Sequence, residues 1–429
     1  MDVTAAEKQD GPRGGNWSRR GVLSGLLGAP VLLLAACSGD NGKSGSASPS
    51  AQGGAGTGTG TGGAGGSSSP KASVAQITIV PADGTTAAPF TEPVTVTVLD
   101  GTLTAVTVTD GTGKQIAGQL AADGTSWTST SKLSSGSKYT VAASAVDADK
   151  RPADANATFS TASPASTFVG YFTPEDGSTV GVGMPVSINF NKAITNRKAV
   201  QQAITVVADP PVEIVGHWFD STRIDFRPQE YWAKGTKVTL KLRLKDVAGA
   251  KGVYGTQSKD VTFTIGRSQV SVADLTADTL TVTTDGQVTA TYPVIGGAPD
   301  HTTWAGKMVI SERFQQTRMN STTVGLGSEY DIPDVPHAQR LTTSGTFIHG
   351  NYWAPASEFG HANTSHGCIA LQDVQGGNDP NTNGAKFYAS SMIGDVVEVI
   401  NSGDRTVAPA NGLNGWNMSW PDWKAGSAV

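Results

Sequence analysis

Beyond residue 72 the chain alternates. Short runs with valine, isoleucine or threonine at every second position, such as Pro93-Val94-Thr95-Val96 and Tyr139-Thr140-Val141, are closed by Asp-Gly and Ser-Gly pairs. Period-two patterning between such turns predicts antiparallel strands with one face buried. The pattern also repeats. Pro81, Asp83, Gly84 and Thr85, followed by Pro93-Val94-Thr95-Val96, return as Pro174, Asp176, Gly177 and Ser178, followed by Pro185-Val186-Ser187-Ile188. Ser135-Gly136-Ser137-Lys138-Tyr139-Thr140-Val141 is echoed by Ala233-Lys234-Gly235-Thr236-Lys237-Val238-Thr239-Leu240, and Ala157-Thr158-Phe159 by Val261-Thr262-Phe263. Two tandem β-sandwiches, 73–163 and 164–267, are the simplest account. Trp218, Phe226, Tyr231 and Trp232 in the second would suit a carbohydrate platform, but sandwich aromatics more commonly fill the core, and core is the reading taken.

After Ser268 the texture changes. Strands at Leu280-Thr281-Val282 and Gln287-Val288-Thr289-Ala290-Thr291 precede a glycine- and proline-bearing stretch from Thr302 to Thr343, expected to be a long irregular loop with a function. A strand Thr346-Phe347-Ile348 then ends at His349. These residues make a third, β-rich domain, 268–402. A tail, 403–429, carries Trp416, Trp420 and Trp423 at helix-like spacing broken by Gly415 and Pro421, and is expected to pack on that domain as a short C-terminal subdomain.

The first 72 residues are different. Basic residues between Arg13 and Arg20 precede an apolar run, Val22 to Ala36, shorter than the ~20 residues a membrane span needs. Its end, Leu34-Ala35-Ala36-Cys37, resembles the lipobox of bacterial lipoproteins, which implies a signal peptide over 1–37 and a mature chain lipidated at Cys37. Ser18-Arg19-Arg20-Gly21-Val22-Leu23 resembles a twin-arginine export signal. Residues 38–72 are almost wholly Gly, Ser, Ala and Thr, too poor in apolar groups to fold, and make a tether with a reach of roughly 30 Å. The expected location is outside the cell membrane, lipid-anchored to its outer face and facing the wall.

Composition narrows the function. The 429 residues include 53 glycines and 22 prolines, in keeping with turn-rich β structure; 31 basic against 36 acidic side chains give a net charge of -5. No Lys/Arg block stands out, so nucleic acid is not an expected partner. There are 2 cysteines, and export accounts for Cys37, so a disulfide framework is excluded. A free thiol in an exported protein is exposed to oxidation and persists where its thiolate is useful, which singles out Cys368.

Around Cys368 stand the parts that thiol chemistry needs. An ordinary thiol is mostly protonated at neutral pH, so a neighbouring imidazole must take the proton and hold the thiolate as an ion pair. His349 or His366 can supply it. The ring also needs an acceptor for its other nitrogen; no Asp or Asn stands at an obvious position, and the backbone carbonyl of Gly350 is the economical candidate. A developing oxyanion needs amide donors, which the Gly367-Cys368 turn can offer.

His349-Gly350, then Ser365-His366-Gly367-Cys368, then Gly394-Asp395-Val396-Val397-Glu398-Val399 together resemble the L,D-transpeptidase catalytic domain of YkuD type. With two immunoglobulin-like modules, a lipobox and the ending Trp416-Asn417-Met418-Ser419-Trp420-Pro421-Asp422-Trp423, the resemblance extends to the actinobacterial, mycobacterial-type enzymes over nearly all the mature chain. It implies a mainly β protein, two tandem immunoglobulin-like sandwiches followed by the catalytic domain, with Cys368 as nucleophile, His349 as general base and the Gly350 carbonyl orienting the base. Tyr330 matches a tyrosine of the active-site lid, Ser344 and Gly345 a substrate-contacting pair, and His366, with Ser365 and Gly367, the motif support on the oxyanion side. The implied reaction is attack on a peptidoglycan tetrapeptide stem, loss of D-alanine, and resolution of a thioester by a neighbouring stem to give a 3→3 cross-link, without a cofactor. Acylation of the cysteine by carbapenems is implied as well. Ala370 departs from the family, where Asn or Arg is frequent two residues after the cysteine, and bears on substrate selection or rate.

Three other readings compete. Water as acceptor would make the protein an L,D-carboxypeptidase. A decayed third domain would leave a noncatalytic wall-binding lipoprotein, against which the retained His349 and Cys368 argue. His361, His366 and Cys368 offer zinc-type ligands, but no clear fourth ligand completes them, and no metal is expected.

Overall fold

The computed structural model describes residues 71–325 and 327–429. The export segment, Cys37 and most of the tether lie outside the described residues. Among the described residues no helix is long and apolar enough to cross a membrane.

The protein is mainly β. In the first module, strands Gln76–Val80, Thr95–Leu99, Ser126–Ser129 and Gly118–Leu120 form one sheet and Thr102–Asp110, Lys138–Val146 and Pro152–Ser160 the other. Period-two burial is explicit in Lys138–Val146, where Tyr139, Val141, Ala143 and Ala145 all point into the core. The second module pairs Val215–Trp218, Arg223–Arg227, Val186–Phe190 and Gly170–Thr173 against Thr179–Val180, Ser258–Ile265, Lys237–Arg243 and Ile204–Asp209. The sequence duplication has a physical counterpart. Gly84 and Gly177, at φ 76° and 73°, donate to the Thr158 and Thr262 carbonyls at 2.8 and 2.7 Å, while Asp83 and Asp176 accept from the amides of the same two threonines at 2.7 Å each. Only a residue tolerant of left-handed backbone fits that turn. Trp218, Phe226 and Trp232 are buried in the second core, with the Trp232 indole donating to the Met184 carbonyl, so these aromatics serve packing.

The third domain is built on one nine-stranded sheet. Its strands are β1 (Gln269–Asp274), β2 (Thr279–Thr284), β3 (Gln287–Ile295), β4 (Gly306–Val309), β5 (Glu312–Asn320), β6 (Asp331–Arg340), β7 (Phe347–Asn351), β8 (Ile369–Gln372) and β9 (Val396–Ile400), in the order β4-β9-β1-β2-β3-β8-β7-β6-β5. Two neighbouring pairs, β1/β9 and β7/β8, are parallel. The helix Asn383–Ser390 covers one face through Phe387, its first turn capped by Thr382.

Two expectations are corrected here. The stretch from Thr302 to Thr343 is not an irregular loop: most of it is the β5–β6 hairpin, joined through the short 3-10 turn Ser321–Val324. Pro333 and Pro336 disguised β6 as loop, because proline cannot donate to a second neighbour. β6 tolerates both, since it bonds β7 only through Gln339 and Arg340 and is otherwise paired on one side. Likewise His349 does not end its strand but sits in the middle of β7.

The tail joins two domains. Asn414 and Asn417 accept from the Val309 and Lys307 amides of β4 at 2.9 and 2.8 Å, which holds the tail to the catalytic sheet. Its tryptophans go to the second sandwich instead: the Trp416 indole donates to the Gly183 carbonyl, Trp423 donates to the Val215 carbonyl and stacks on His217, and the Arg227 guanidinium lies over the Trp416, Trp420 and Trp423 rings. The two domains also touch directly, Gly181 and Gly183 donating to the Ile393 and Gly394 carbonyls. A Cβ on Gly181 would lie 2.3 Å from the Asp395 amide nitrogen, so that contact requires glycine.

Candidate functional site

The parallel pair β7/β8 positions the chemistry. Ile348 lies opposite Ile369 and His349 opposite Ala370. Carried back one residue, that register sets Cys368 opposite Phe347. Because side chains alternate between faces, Cys368 and His349 leave the same face of adjacent strands, one diagonal step apart. Ile348, Ile369 and Leu371 leave the other face and enter the main core, which fixes the register: a slip by one residue would bury the histidine among aliphatics. Cys368 and His349 both line a cavity of about 430 Å³ with Tyr330, Trp353, Asn351 and Ser365.

His349 is held in one tautomer. Its Nδ1 lies 2.8 Å from the Gly350 carbonyl oxygen, which can only accept, so Nδ1 carries the proton and Nε2 keeps its lone pair. Trp353 stacks on the ring at 5.8 Å with the planes 17° apart. Beneath Gly350 stands a group the sequence did not reveal. The buried Asp373 carboxylate accepts from His337 Nδ1 at 2.7 Å, from Thr382 Oγ1 at 2.9 Å and from the Val374 amide at 2.8 Å. A Cβ on Gly350 would come within 2.2 Å of Asp373 Oδ2, so the aspartate closes tightly under the peptide that orients His349.

Burial sets the protonation states. It pushes the Cys368 thiol up to about 11, only partly opposed by the Phe347 amide, 3.4 Å from Sγ, and the Arg340 charge. Burial also lowers His349 below the ordinary imidazole value, opposed by the Gly350 carbonyl and the Asp373 charge. Both shifts favour the neutral forms. A desolvated thiolate–imidazolium pair here would have to offset two burial costs.

The remaining residues gather around the sulfur. Cys368 Sγ lies 3.8 Å from the Gly345 carbonyl. Gly345 has φ 104°, and a Cβ there would strike Val324 of the lid turn at 2.2 Å. Ser365 Oγ donates to the Cys368 carbonyl at 2.6 Å and Gly367 turns with φ 96°, which together shape the approach to the nucleophile. Ser344 is held by Asn411 of the tail, which accepts from its amide at 3.0 Å and donates to its hydroxyl at 2.9 Å. Tyr330 reaches from the lid to the His366 ring, 5.0 Å between centroids, and burial raises its phenol to about 12, keeping it protonated. Ala370 is fully buried in a small apolar cluster with Ile295, which lines the cavity, and Phe359, so an apolar packing group stands where the family often has a polar one.

His361, His366 and Cys368 do not form a ligand set. Among the described residues the one cluster with metal-ligand spacing is His301, Glu329 and His366. His301, Glu329, His337, Asp373 and Asn411 were all missed in the sequence, each standing alone in its segment with no motif around it.

Known proteins share this architecture. The bacterial Ig domain family matches residues 85–248, and the L,D-transpeptidase catalytic domain family matches residues 268–376. L,D-transpeptidase 2 of Mycobacterium tuberculosis (strain CDC 1551 / Oshkosh) is 34% identical over 83% of this chain and 85% of its own length. L,D-transpeptidase 5 of Mycobacterium tuberculosis (strain ATCC 25618 / H37Rv) is 31% identical over 82% of this chain and 77% of its own. A solved LD transpeptidase in complex with imipenem aligns with 55% of this chain and 100% of its own, at 29% identity and a TM-score of 0.46.

Proposed function

The chain belongs to the L,D-transpeptidase family, a family of transferases, and we propose that it cross-links peptidoglycan stem peptides through a thioester on Cys368. The observation that carries the reading is the common face of Cys368 and His349, with His349 Nε2 left basic by the Gly350 carbonyl.

In this mechanism His349 Nε2 takes the thiol proton as Sγ attacks the carbonyl of the third, diamino acid residue of a tetrapeptide stem. Because burial favours the neutral form of both groups, proton transfer accompanies bond formation in this mechanism. The oxyanion draws on the amides of the Gly367-Cys368 turn, supported by His366 and Ser365. His349 then returns the proton to the leaving amine, the C–N bond breaks, and D-alanine departs. A side-chain amine of a second stem attacks the thioester, His349 accepts its proton, and the C–S bond breaks to give a 3→3 amide and the thiol. Tyr330, Ser344 and Gly345 contact the stems.

A second cleft of about 320 Å³, lined by Ser344, Gly345, Trp304 and Asp404, adjoins the first, and Tyr330 and His366 border both. The second cleft ends at Gly367 and at Gly345, whose carbonyl lies beside Cys368 Sγ, and a cleft on each side of Tyr330 and His366 suits a reaction with two peptide substrates, which favours transfer over hydrolysis. The lid limits access of water, present at ~55 M, to the thioester. The strained carbonyl of a carbapenem is an electrophile of the same kind, and acylation of Cys368 by it belongs to the same reading. So does a lipid tether at Cys37 with the enzyme outside the membrane, where its substrate is. Incubation with a disaccharide tetrapeptide should release D-alanine and yield a dimer whose fragmentation gives a 3→3 bond; release of D-alanine with tripeptide alone would make the protein a carboxypeptidase.

A further inference from the structure

His301, Glu329 and His366 come from three separate segments: the β3–β4 connection, the lid just before β6, and the turn before β8. Both Nε2 atoms face one oxygen, Glu329 Oε2, at 3.3 Å from His301 and 3.4 Å from His366, and the two rings lie 5.0 Å apart. Charge-assisted hydrogen bonds would be shorter, about 2.7–2.9 Å. The spacing instead matches the edge of a zinc tetrahedron, which for ligand bonds of about 2.0–2.1 Å is roughly 3.3 Å. All three donor atoms fall within 4.8 Å of one another, so a modest turn of either ring closes the third edge. The side chains are 25%, 42% and 39% exposed, which leaves the fourth position open to water. Asp300 stands beside it, its Oδ2 3.8 Å from His301 Nε2.

We infer that His301, Glu329 and His366 form a binding site for a divalent transition metal of the zinc type, which clasps the lid to the body of the catalytic domain. Two imidazoles and one carboxylate are the donor set of three-ligand zinc sites with an exchangeable water. The ion joins the lid, through Glu329, to the His366 turn two residues from the nucleophile. Since Tyr330 and His366 border both clefts, fixing Glu329 and His366 restricts access to Cys368. The site works as a metal-dependent brake on lid opening, and it stands whether or not Cys368 carries out peptide transfer.

The test uses the Cys368→Ala full chain, so that the thiolate is removed as a competing ligand. Zinc titration by calorimetry, with cobalt absorption as a geometry probe, should give one ion per chain, and Glu329→Ala or His301→Ala should weaken binding by roughly tenfold or more. The melting temperatures of both variants without metal establish that they fold. In the wild-type thiol form, zinc should slow iodoacetamide alkylation of Cys368, and Glu329→Ala should abolish that protection. Zinc binding that disappears with Cys368→Ala, or that both ligand substitutions leave unchanged, overturns the site. Protection that persists in Glu329→Ala overturns the clasp.

Discussion

Replacing His349 by glutamine slows acylation of Cys368 by about 10²- to 10⁴-fold, the range lost with a general base. The site sets the upper figure. With the thiol raised to about 11, roughly one Cys368 in 10⁴ is ionised at pH 7. Without the base, only that fraction reacts. The pH profile is a sharper signature than the rate. In His349→Gln the acylation rate should climb about tenfold per pH unit toward 11, following the thiolate. In the wild type it should level off below the ordinary imidazole value of ~6.5, because burial lowers His349. Stopped-flow acylation by a carbapenem across pH measures both. Parallel profiles in the two proteins would mean that His349 does not take the proton.

Asp373→Ala should destabilise the catalytic domain by about 3 kcal/mol, since it removes the partner of a buried imidazole and leaves His337 Nδ1 unsatisfied. It also takes away the carboxylate packed under Gly350, so at temperatures where the variant is still folded the peptide that orients His349 is less constrained. The expected result is a lower midpoint in urea together with slower acylation at neutral pH, and a smaller rate defect at high pH, where thiolate no longer depends on the base. An unchanged urea midpoint for Asp373→Ala would show that the His337–Asp373 pair contributes nothing to the fold.

The parts of this protein legible in its sequence were those written in contiguous residues. The Asp-Gly turns of the two sandwiches, the alternation in Lys138–Val146 and the Ser365-His366-Gly367-Cys368 run each specify their local backbone, and each is found as such. The Cys368–His349 partnership was readable only as residue types and as what the motif resemblance implied; the parallel pairing of β7 and β8 that puts the two on one face came from the fold. What depended on distant chain segments was not legible. His337 and Asp373 are single residues in unrelated stretches, and only the packing of β6, β8 and the helix Asn383–Ser390 brings them together. The lid hairpin was hidden by prolines that a one-sided strand accepts. The charge of the Cys368–His349 pair was not legible either: residue types gave the partners, but burial, which favours the neutral form of both, is a property of the whole fold.

The most direct test of the account is the mass of the intact protein after exposure to a carbapenem, followed by peptide mapping, for the wild type and Cys368→Ala. One adduct per chain, mapped to Cys368 and missing from the alanine variant, is the predicted result. An adduct of equal yield on Cys368→Ala would contradict it, since the nucleophile would then be some other group.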